Sequence, residues 1–124
     1  LTIIAAGKSH VFDVELAETD EQQMIGLMYR TKLGRREGML FPYPKPRVLT
    51  MWMRNTYISL DMIFIKADGT VHRVEEGTEP LSEEVISSGA PVSAVLEVPA
   101  GVASEIGVKP GSRIVQKTYF PSYK

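Results

Sequence analysis

The chain contains no cysteine. Disulfides, cysteine nucleophiles and zinc sites built on thiolates are therefore excluded. It also lacks an excess of positive charge, because 14 basic and 15 acidic side chains give a formal net charge of -1. Proteins that bind nucleic acids normally carry a basic excess that displaces counterions, so we expect no nucleic-acid partner.

Long apolar runs are missing as well. The densest stretch runs from Leu60 to Ile65 and is interrupted by Asp61. It falls far short of the roughly 18 residues that a membrane-spanning helix requires. We therefore predict no membrane span.

The short motifs that mark common enzymes are also absent. The sequence has no nucleophile elbow, phosphate-binding loop, dinucleotide fingerprint or helical zinc-protease motif. The two histidines, His10 and His72, have no neighbour at a metal-ligand spacing. These absences predict a protein without cofactor or metal and favour a non-catalytic role.

What is present is the composition of one globular domain. Of the 124 residues, 44% are hydrophobic and 23% are charged, which suits a single core over residues 1–124. Strands are predicted at 2–6, 11–16, 38–41, 48–53, 60–66, 70–76, 92–98 and 113–116, and helices from 19 towards 34 and at 100–106. Two short helices cannot cover so large a sheet on both faces. We therefore predict an α+β fold with a mainly antiparallel, curved or barrel-like β-sheet.

The clearest helix signal begins at Thr19, which forms a capping box with Gln22. Apolar residues then recur at helical spacing and predict a buried stripe: Met24, Ile25, Leu27 and Met28. The prolines at 42–46 predict an extended or polyproline connection. Residues 77–91 are predicted to be irregular, and residues 117–124 to be a fraying end.

A polar cluster beside the single tryptophan is the main candidate for a functional site. Arg54, Asn55, Thr56 and Asp61 fall within eight positions and follow Trp52. One hypothesis is a structural ion pair between Arg54 and Asp61, since a carboxylate in a core strand needs a partner. The other is a rim site for a small polar ligand or a protein. Two further side chains could join this network: Arg30 and Glu97.

Two alternatives give the same region other chemistry. A hydrolase could use Asp61 or Glu97 as acid or base, and a paired mechanism would need the two carboxyls about 5 to 9.5 Å apart. A Cu(I) carrier could use Met51 and Met53, since thioethers are soft ligands. Methionine in strands and helix stripes is far more often core filling.

Several segments together resemble one family, the domain of unknown function 192 family. They are Gly26-Leu27-Met28-Tyr29-Arg30, Gly38-Met39-Leu40-Phe41, Met51-Trp52-Met53-Arg54-Asn55-Thr56, Leu60-Asp61-Met62-Ile63-Phe64-Ile65 and Leu96-Glu97-Val98-Pro99-Ala100-Gly101. The resemblance covers about residues 11–116. It implies a prokaryotic single-domain protein, frequently exported, with no established activity and no residue of assigned catalytic role.

The resemblance also sets the expected location. It favours export to the periplasm or the medium with a signal peptide removed, which would account for Leu1 at the start. A cytoplasmic location stays open at this point, since the first residue could equally reflect cloning. The sequence therefore predicts a small exported binding or accessory module. Its ligand or partner surface would be formed by Trp52 and the polar cluster that follows it.

Overall fold

The computed structural model describes residues 1–122 of the chain. Its strands are β1 (Thr2–Ala5), β2 (Lys8–Val11), β3 (Asp13–Leu16), β4 (Glu37–Met51), β5 (Leu60–Ile65), β6 (Val71–Glu75), β7 (Ile86–Pro99) and β8 (Arg113–Val115). Its helices are α1 (Asp20–Ile25) and α2 (Val102–Ile106). No helix within residues 1–122 combines the length and the apolar character needed to cross a bilayer.

The strands form two open sheets. The smaller has the order β2-β1-β8, and the larger has the order β3-β4-β7-β5-β6. All pairings are antiparallel except that of β3 with β4. The predicted α+β class with mainly antiparallel strands is therefore confirmed. The barrel-like alternative is not: within residues 1–122 the strands form two separate sheets and no barrel closes. An isolated bridge between Thr70 and Arg113 connects β8 with the beginning of the edge strand β6.

Both faces of the larger sheet are covered, and each carries its own core. Side chains alternate between the two faces of a strand, and all six residues of β5 are buried. On one face Leu96 and Ile63 pack with the smaller sheet and α2. On the opposite face Phe41 and Met62 pack with Leu27, which follows α1. The candidate site lies on this second face.

The N-terminal run divides between the two sheets. Ala6 and Gly7, both with positive φ, make the two-residue turn that pairs Ala5 with Lys8. Phe12 is buried and separates β2 from β3, which joins the larger sheet. The single strand predicted at 11–16 is therefore wrong, because the chain changes sheets at this buried aromatic residue.

Helix α1 begins as predicted. The Gln22 N–H donates to the Thr19 hydroxyl at 3.1 Å, and the Gln22 side chain accepts from the Thr19 N–H at 3.1 Å. The Gln23 amide then ties the helix to the larger sheet by donating to the carbonyls of Ala17 and Pro42.

The end and the packing of α1 differ from the prediction. The helix stops at Gly26, whose φ is +51°, and a β-carbon there would lie 3.2 Å from Cζ of Phe41. Only glycine combines this backbone conformation with so close an approach. The predicted stripe is consequently not buried: Met24 is 74% exposed and Ile25 47%, whereas Leu27 is 2% exposed.

The proline segment lies inside a strand. Pairing of β4 with β7 lapses after Pro42, opposite Ala94, and resumes at Arg47, opposite Val92. Prolines donate no N–H to a ladder, so the pairing fails where they occur while the chain stays extended. The two strands predicted at 38–41 and 48–53 are thus one interrupted strand. Its distal half pairs with residues from Ile86 onward, so the predicted irregular stretch ends sooner than expected.

The C-terminal segment is docked up to Phe120. The backbones of Gln116 and Phe120 exchange hydrogen bonds of 2.7 and 2.8 Å, and the Phe120 ring joins the core beneath the smaller sheet. The prediction of a fraying end is therefore wrong for 117–120. Residues 123–124, the last part of that prediction, lie outside the described residues.

Candidate functional site

A cleft of about 270 Å³ opens on the α1 side of the larger sheet. Its walls come from α1 with the turn after it, and from the distal half of β4 with the loop that follows. We call it the Trp52 cleft. Its lining residues are Asp20, Gln23, Met24, Ile25, Gly26, Leu27, Met28, Phe41, Tyr43, Arg47, Thr50, Met51, Trp52, Met53, Arg54, Thr56, Leu60 and Glu97.

Glu97 is the acid buried at the bottom of this cleft. It lies on β7 and is only 4% exposed. Its register partners are Met39 on β4 and Met62 on β5, so the carboxyl points to the same side as two thioethers. Burial raises the pKa of Glu97 from 4.5 to about 8. The side chain is therefore mostly a neutral carboxylic acid at neutral pH.

The Glu97 carboxyl has no partner to offset its burial. Among the hydrogen bonds and ion pairs of residues 1–122, none reaches it, and burial is the one cause of its raised pKa. Within residues 1–122 the fully buried side-chain atom without a partner is Nε2 of His10, not an oxygen of Glu97. The Glu97 oxygens therefore face the cleft, and a nearly buried acid without a protein partner is unusual in folded proteins. Because Glu97 lines a cleft, a hydrogen bond to a bound ligand would explain why the carboxyl has no partner in the described residues.

The rim of the cleft carries an indole and two guanidinium groups. Trp52 is 43% exposed, and Cζ of Arg54 lies 5.3 Å from the centre of its ring. Arg54 also lies 3.8 Å from a carboxylate oxygen of Glu83, a long and exposed contact of little energetic weight. Cζ of Arg47 stands 5.0 Å from the ring centre of Tyr43. The rim thus carries two arginines and is partly aromatic, while the lining also includes one aspartate, Asp20.

The loop that bears Trp52 is braced from both sides. The Tyr29 N–H donates to the Asn55 carbonyl at 2.9 Å, and the Leu81 N–H donates to the Thr56 carbonyl at 3.0 Å. Tyr29, Asn55 and Leu81 all have positive φ, between 55° and 68°. Such backbone strain persists only where the surroundings impose it, and it is concentrated at functional sites.

Asp61 does not belong to this cleft. It is fully buried and accepts backbone N–H bonds from Gly77, Gly101 and Ala103 at 2.9 to 3.0 Å. The predicted ion pair between Arg54 and Asp61 is therefore wrong, because three peptide dipoles satisfy the carboxylate and the guanidinium turns to Trp52.

The two candidate acids also fail to form a pair. Met62 is the register partner of Glu97, while the adjacent Asp61 is the partner of Val98. Neighbouring residues of a strand point to opposite faces, so the sheet separates the two carboxyls. A paired-carboxylate mechanism has no geometric basis here.

The seven predicted site residues are only partly brought together. Trp52, Arg54, Thr56 and Glu97 line the Trp52 cleft. Asn55 stands behind the loop and donates through Nδ2 to the Tyr29 hydroxyl at 3.1 Å.

Arg30 lies elsewhere, in a bidentate pair with Glu15 at 2.7 and 2.9 Å. Hydrogen bonding to Arg30 lowers the pKa of Glu15, and the same bond raises the pKa of Arg30. Its guanidinium is therefore engaged at β3 instead of at the cleft.

Sequence reasoning missed the wall contributed by α1 and the two rim residues Tyr43 and Arg47. The helical spacing of Met24 predicts burial, and nothing local indicates that Gly26 ends the helix early. Arg47 follows the prolines, so its position opposite the Trp52 loop depends on the lapse in pairing. Glu97 did give a usable signal, since it is the one acid in the apolar run 92–98.

Methionine side chains would be the ligands in the copper hypothesis. Four of them line the cleft: Met24, Met28, Met51 and Met53. Their environments differ, since Met53 is 1% exposed and Met24 is 74% exposed. No group of three or more histidine, cysteine, aspartate or glutamate residues that could hold a metal occurs in the described part of the chain.

Comparison with known proteins places the chain in a family. The sequence model of the DUF192 family, described as "Uncharacterized ACR", matches residues 2–116. The chain belongs to the DUF192 family. The resemblance found in the sequence segments is thereby confirmed over nearly the whole chain. No curated protein matches it.

Two solved structures share the DUF192 fold seen here. One is a candidate transcription regulator from Sinorhizobium meliloti 1021, with 45% sequence identity and a TM-score of 0.88, covering 90% of this chain and 88% of that one. The other is a protein of unknown function from Novosphingobium aromaticivorans DSM 12444, with 41% identity and a TM-score of 0.90, covering 93% of this chain and 82% of that one.

Proposed function

We propose that this DUF192 protein binds a small organic ligand in the Trp52 cleft and does not transform it. One observation carries the proposal: Glu97 is 4% exposed as a residue, lines the cleft, and its carboxyl has no hydrogen-bond partner within residues 1–122. Burying a carboxyl without a partner costs free energy. A ligand that supplies the missing hydrogen bonds would recover that free energy on binding.

The surroundings of Glu97 support a binding site of modest size. The volume of about 270 Å³ lies just below the range of about 300 to 1,000 Å³ that is usual for ligand pockets. The walls combine apolar side chains with several polar ones, among them Gln23, Arg54 and Thr56, and polar groups of this kind fix the orientation of a ligand. The braced loop holds Trp52 and Arg54 in place before a ligand arrives, which lowers the entropy lost on binding.

The binding function is tested by screening a library of small organic fragments against the protein in amide NMR spectra. We expect hits to shift the resonances of Trp52, Thr56 and Glu97, and to quench or enhance the Trp52 fluorescence. Glu97→Leu should weaken these hits, whereas the control Glu84→Gln, on an exposed loop, should not. A library without any hit at the Trp52 cleft would contradict the proposal.

An enzyme is the second candidate, and the same residue favours it. A carboxyl whose pKa is raised to about 8 by burial can act as general acid or base near neutral pH. The hydrolase hypothesis thus rests on Glu97 alone, since Asp61 is sealed on the other face. Glu97→Gln distinguishes the two functions: it keeps a donor and an acceptor for binding but cannot transfer a proton. Turnover of nitrophenyl ester or glycoside probes that this variant abolishes would establish the enzyme.

A Cu(I) carrier is the third candidate, favoured by the four thioethers at the cleft. We rank it lower, because Met53 is packed in the core and Met24 stands in solvent. Titration with Cu(I) under reducing conditions tests it. Stoichiometric quenching of Trp52 fluorescence that is lost in Met51→Leu would establish the copper site. Unchanged Trp52 emission in the wild-type protein would exclude the Cu(I) carrier.

The name of the Sinorhizobium relative suggests a role in transcription. We do not extend that role to DNA contact by this chain, because its 14 basic and 15 acidic residues leave no positive excess. A protein partner at the cleft rim would be compatible with a role in transcription that involves no DNA contact by this chain.

Location outside the cytoplasm is a further proposal, which rests on the frequent export of family members. Fractionation of cells that produce the natural protein tests it.

A further inference from the structure

We propose that the Trp52 cleft selects an uncharged ligand with a carboxamide or lactam group, which pairs with the Glu97 carboxyl through two hydrogen bonds. The inference rests on the proposed binding function and adds the chemistry of the ligand. Its basis is the geometry of one side chain: Glu97 is nearly buried, lines the cleft and has no hydrogen-bond partner among residues 1–122.

The first step is the charge on Glu97. On the two strands that flank it, its register partners Met39 and Met62 bear no charge. The titratable or charged groups that line the cleft are Asp20 from α1, Tyr43 and Arg47 from β4, and Arg54 from the loop. Neither arginine forms an ion pair with Glu97, because each stacks on an aromatic ring of the rim. The carboxyl therefore stays protonated, which agrees with its raised pKa of about 8.

The second step is complementarity. A protonated carboxyl presents an O–H donor and a carbonyl acceptor side by side. The group that matches both is an acceptor beside an N–H donor, as in a carboxamide or lactam. A ketone or ester would accept the O–H bond but leave the carbonyl of Glu97 unpaired, which is costly in a buried site.

The third step excludes charged ligands. A cation would require the nearly buried Glu97 to ionise, and it would meet two arginines in the lining, Arg47 and Arg54, against one aspartate, Asp20. An anion would be attracted to that rim, but at the bottom it would meet no cationic group. Both therefore incur a desolvation cost that a neutral amide avoids.

The experiment uses four probes that share one phenyl ring: benzamide, benzylamine, benzoate and acetophenone. Amide NMR titrations of the purified chain at about pH 6, where Glu97 is protonated, give the affinities. We expect benzamide to bind at least about tenfold more tightly than each of the others, the worth of one well-made hydrogen bond. Benzylamine or benzoate binding as well as benzamide would overturn the ligand class.

Two variants and a pH series test the role of Glu97. As pH rises through about 8, benzamide affinity should fall about tenfold in all in the native chain, because the O–H donor is lost while the acceptor stays. Glu97→Gln should bind benzamide with an affinity independent of pH, since the amide keeps a donor and an acceptor. Glu97→Leu should lose binding, with its fold checked by circular dichroism. Unchanged benzamide binding in a folded Glu97→Leu variant would overturn the proposal.

The outcomes separate the ligand class from the binding function. If fragments of other chemistry bind at the Trp52 cleft and benzamide does not, the amide proposal is wrong while the binding function stands. If neither the four probes nor the fragment library gives a hit at the cleft, both are wrong.

Discussion

Glu97 and Asp61 are buried carboxyls on adjacent strands, and their surroundings differ completely. Asp61 accepts three backbone N–H bonds, so its charge is compensated by peptide dipoles. Glu97 accepts none among the described residues and keeps its proton instead, as its raised pKa indicates. Asp61 therefore stabilises the fold, and Glu97 is the group with which the proposed ligand would form hydrogen bonds.

The state of Glu97 makes the stability of the protein depend on pH. With a pKa of about 4.5 in the unfolded chain and about 8 in the folded one, the folded state binds more protons between these values. The free energy of unfolding should then fall as pH rises, by up to about 1.4 kcal/mol per pH unit across that window. Urea denaturation of wild type and Glu97→Gln at several pH values measures this. The variant should become the more stable protein towards pH 8, and parallel profiles would contradict the assignment.

Removing the Asp61 carboxylate should lower the stability of the protein, whereas replacing Glu97 should raise it towards pH 8. Asp61→Ala leaves the N–H groups of Gly77, Gly101 and Ala103 without their acceptor, so we expect a loss of about 3 to 5 kcal/mol in the free energy of unfolding. Asp68→Ala is the control, because Asp68 is exposed and accepts bonds only from Thr70. The control should lose about 1 kcal/mol or less. Equal losses in the two variants would show that Asp61 is not an anchor.

At the scale of single elements, local signals were reliable where a few neighbouring residues decide the structure. The capping box predicted at Thr19 is present, and so is the short helix predicted at 100–106, as α2. Signals that depend on distant partners failed. The end of α1 depends on Phe41 lying beneath Gly26, and the continuity of β4 across its prolines depends on β7. Neither partner is visible in a local window.

Helix α1 forms one wall of the Trp52 cleft yet buries none of its residues, so its caps should matter more than its packing. Thr19→Ala removes the capping hydroxyl and should destabilise the helix by about 1 kcal/mol. Amide exchange at Gln22 and Gln23 should then be about fivefold faster, since opening free energies are local in such elements. Thr31→Ala, at an exposed position, is the control and should leave these rates unchanged. Equal rates in Thr19→Ala and wild type would contradict the capping role.

At the scale of the whole molecule, the fold class could be predicted, but the pairing of the strands could not. The nearly continuous apolar run 60–65 indicates that β5 is buried on both faces, yet it does not say which strand lies beside it. The candidate site depends on that pairing. Register with β7 places Asp61 and Glu97 on opposite faces, whereas their spacing in sequence gives no hint of this. The sequence therefore predicted the residues around Trp52 as a site, and it indicated Glu97 only as a side chain that could join them.

The larger sheet is shared by two cores, and this arrangement predicts cooperative unfolding. Ile114 is 1% exposed and belongs to the core between the two sheets. Trp52 lies on the opposite face of the larger sheet, so its fluorescence monitors unfolding on that side. Ile114→Ala should cost about 2 to 5 kcal/mol, and Trp52 fluorescence and circular dichroism should record the same shifted transition. Ile4→Ala, on β1 of the same small sheet but 36% exposed, should shift both far less. If Ile114→Ala lowers the circular dichroism midpoint while the Trp52 transition stays in place, the two cores unfold independently. The stability of the Trp52 cleft would then not depend on the smaller sheet.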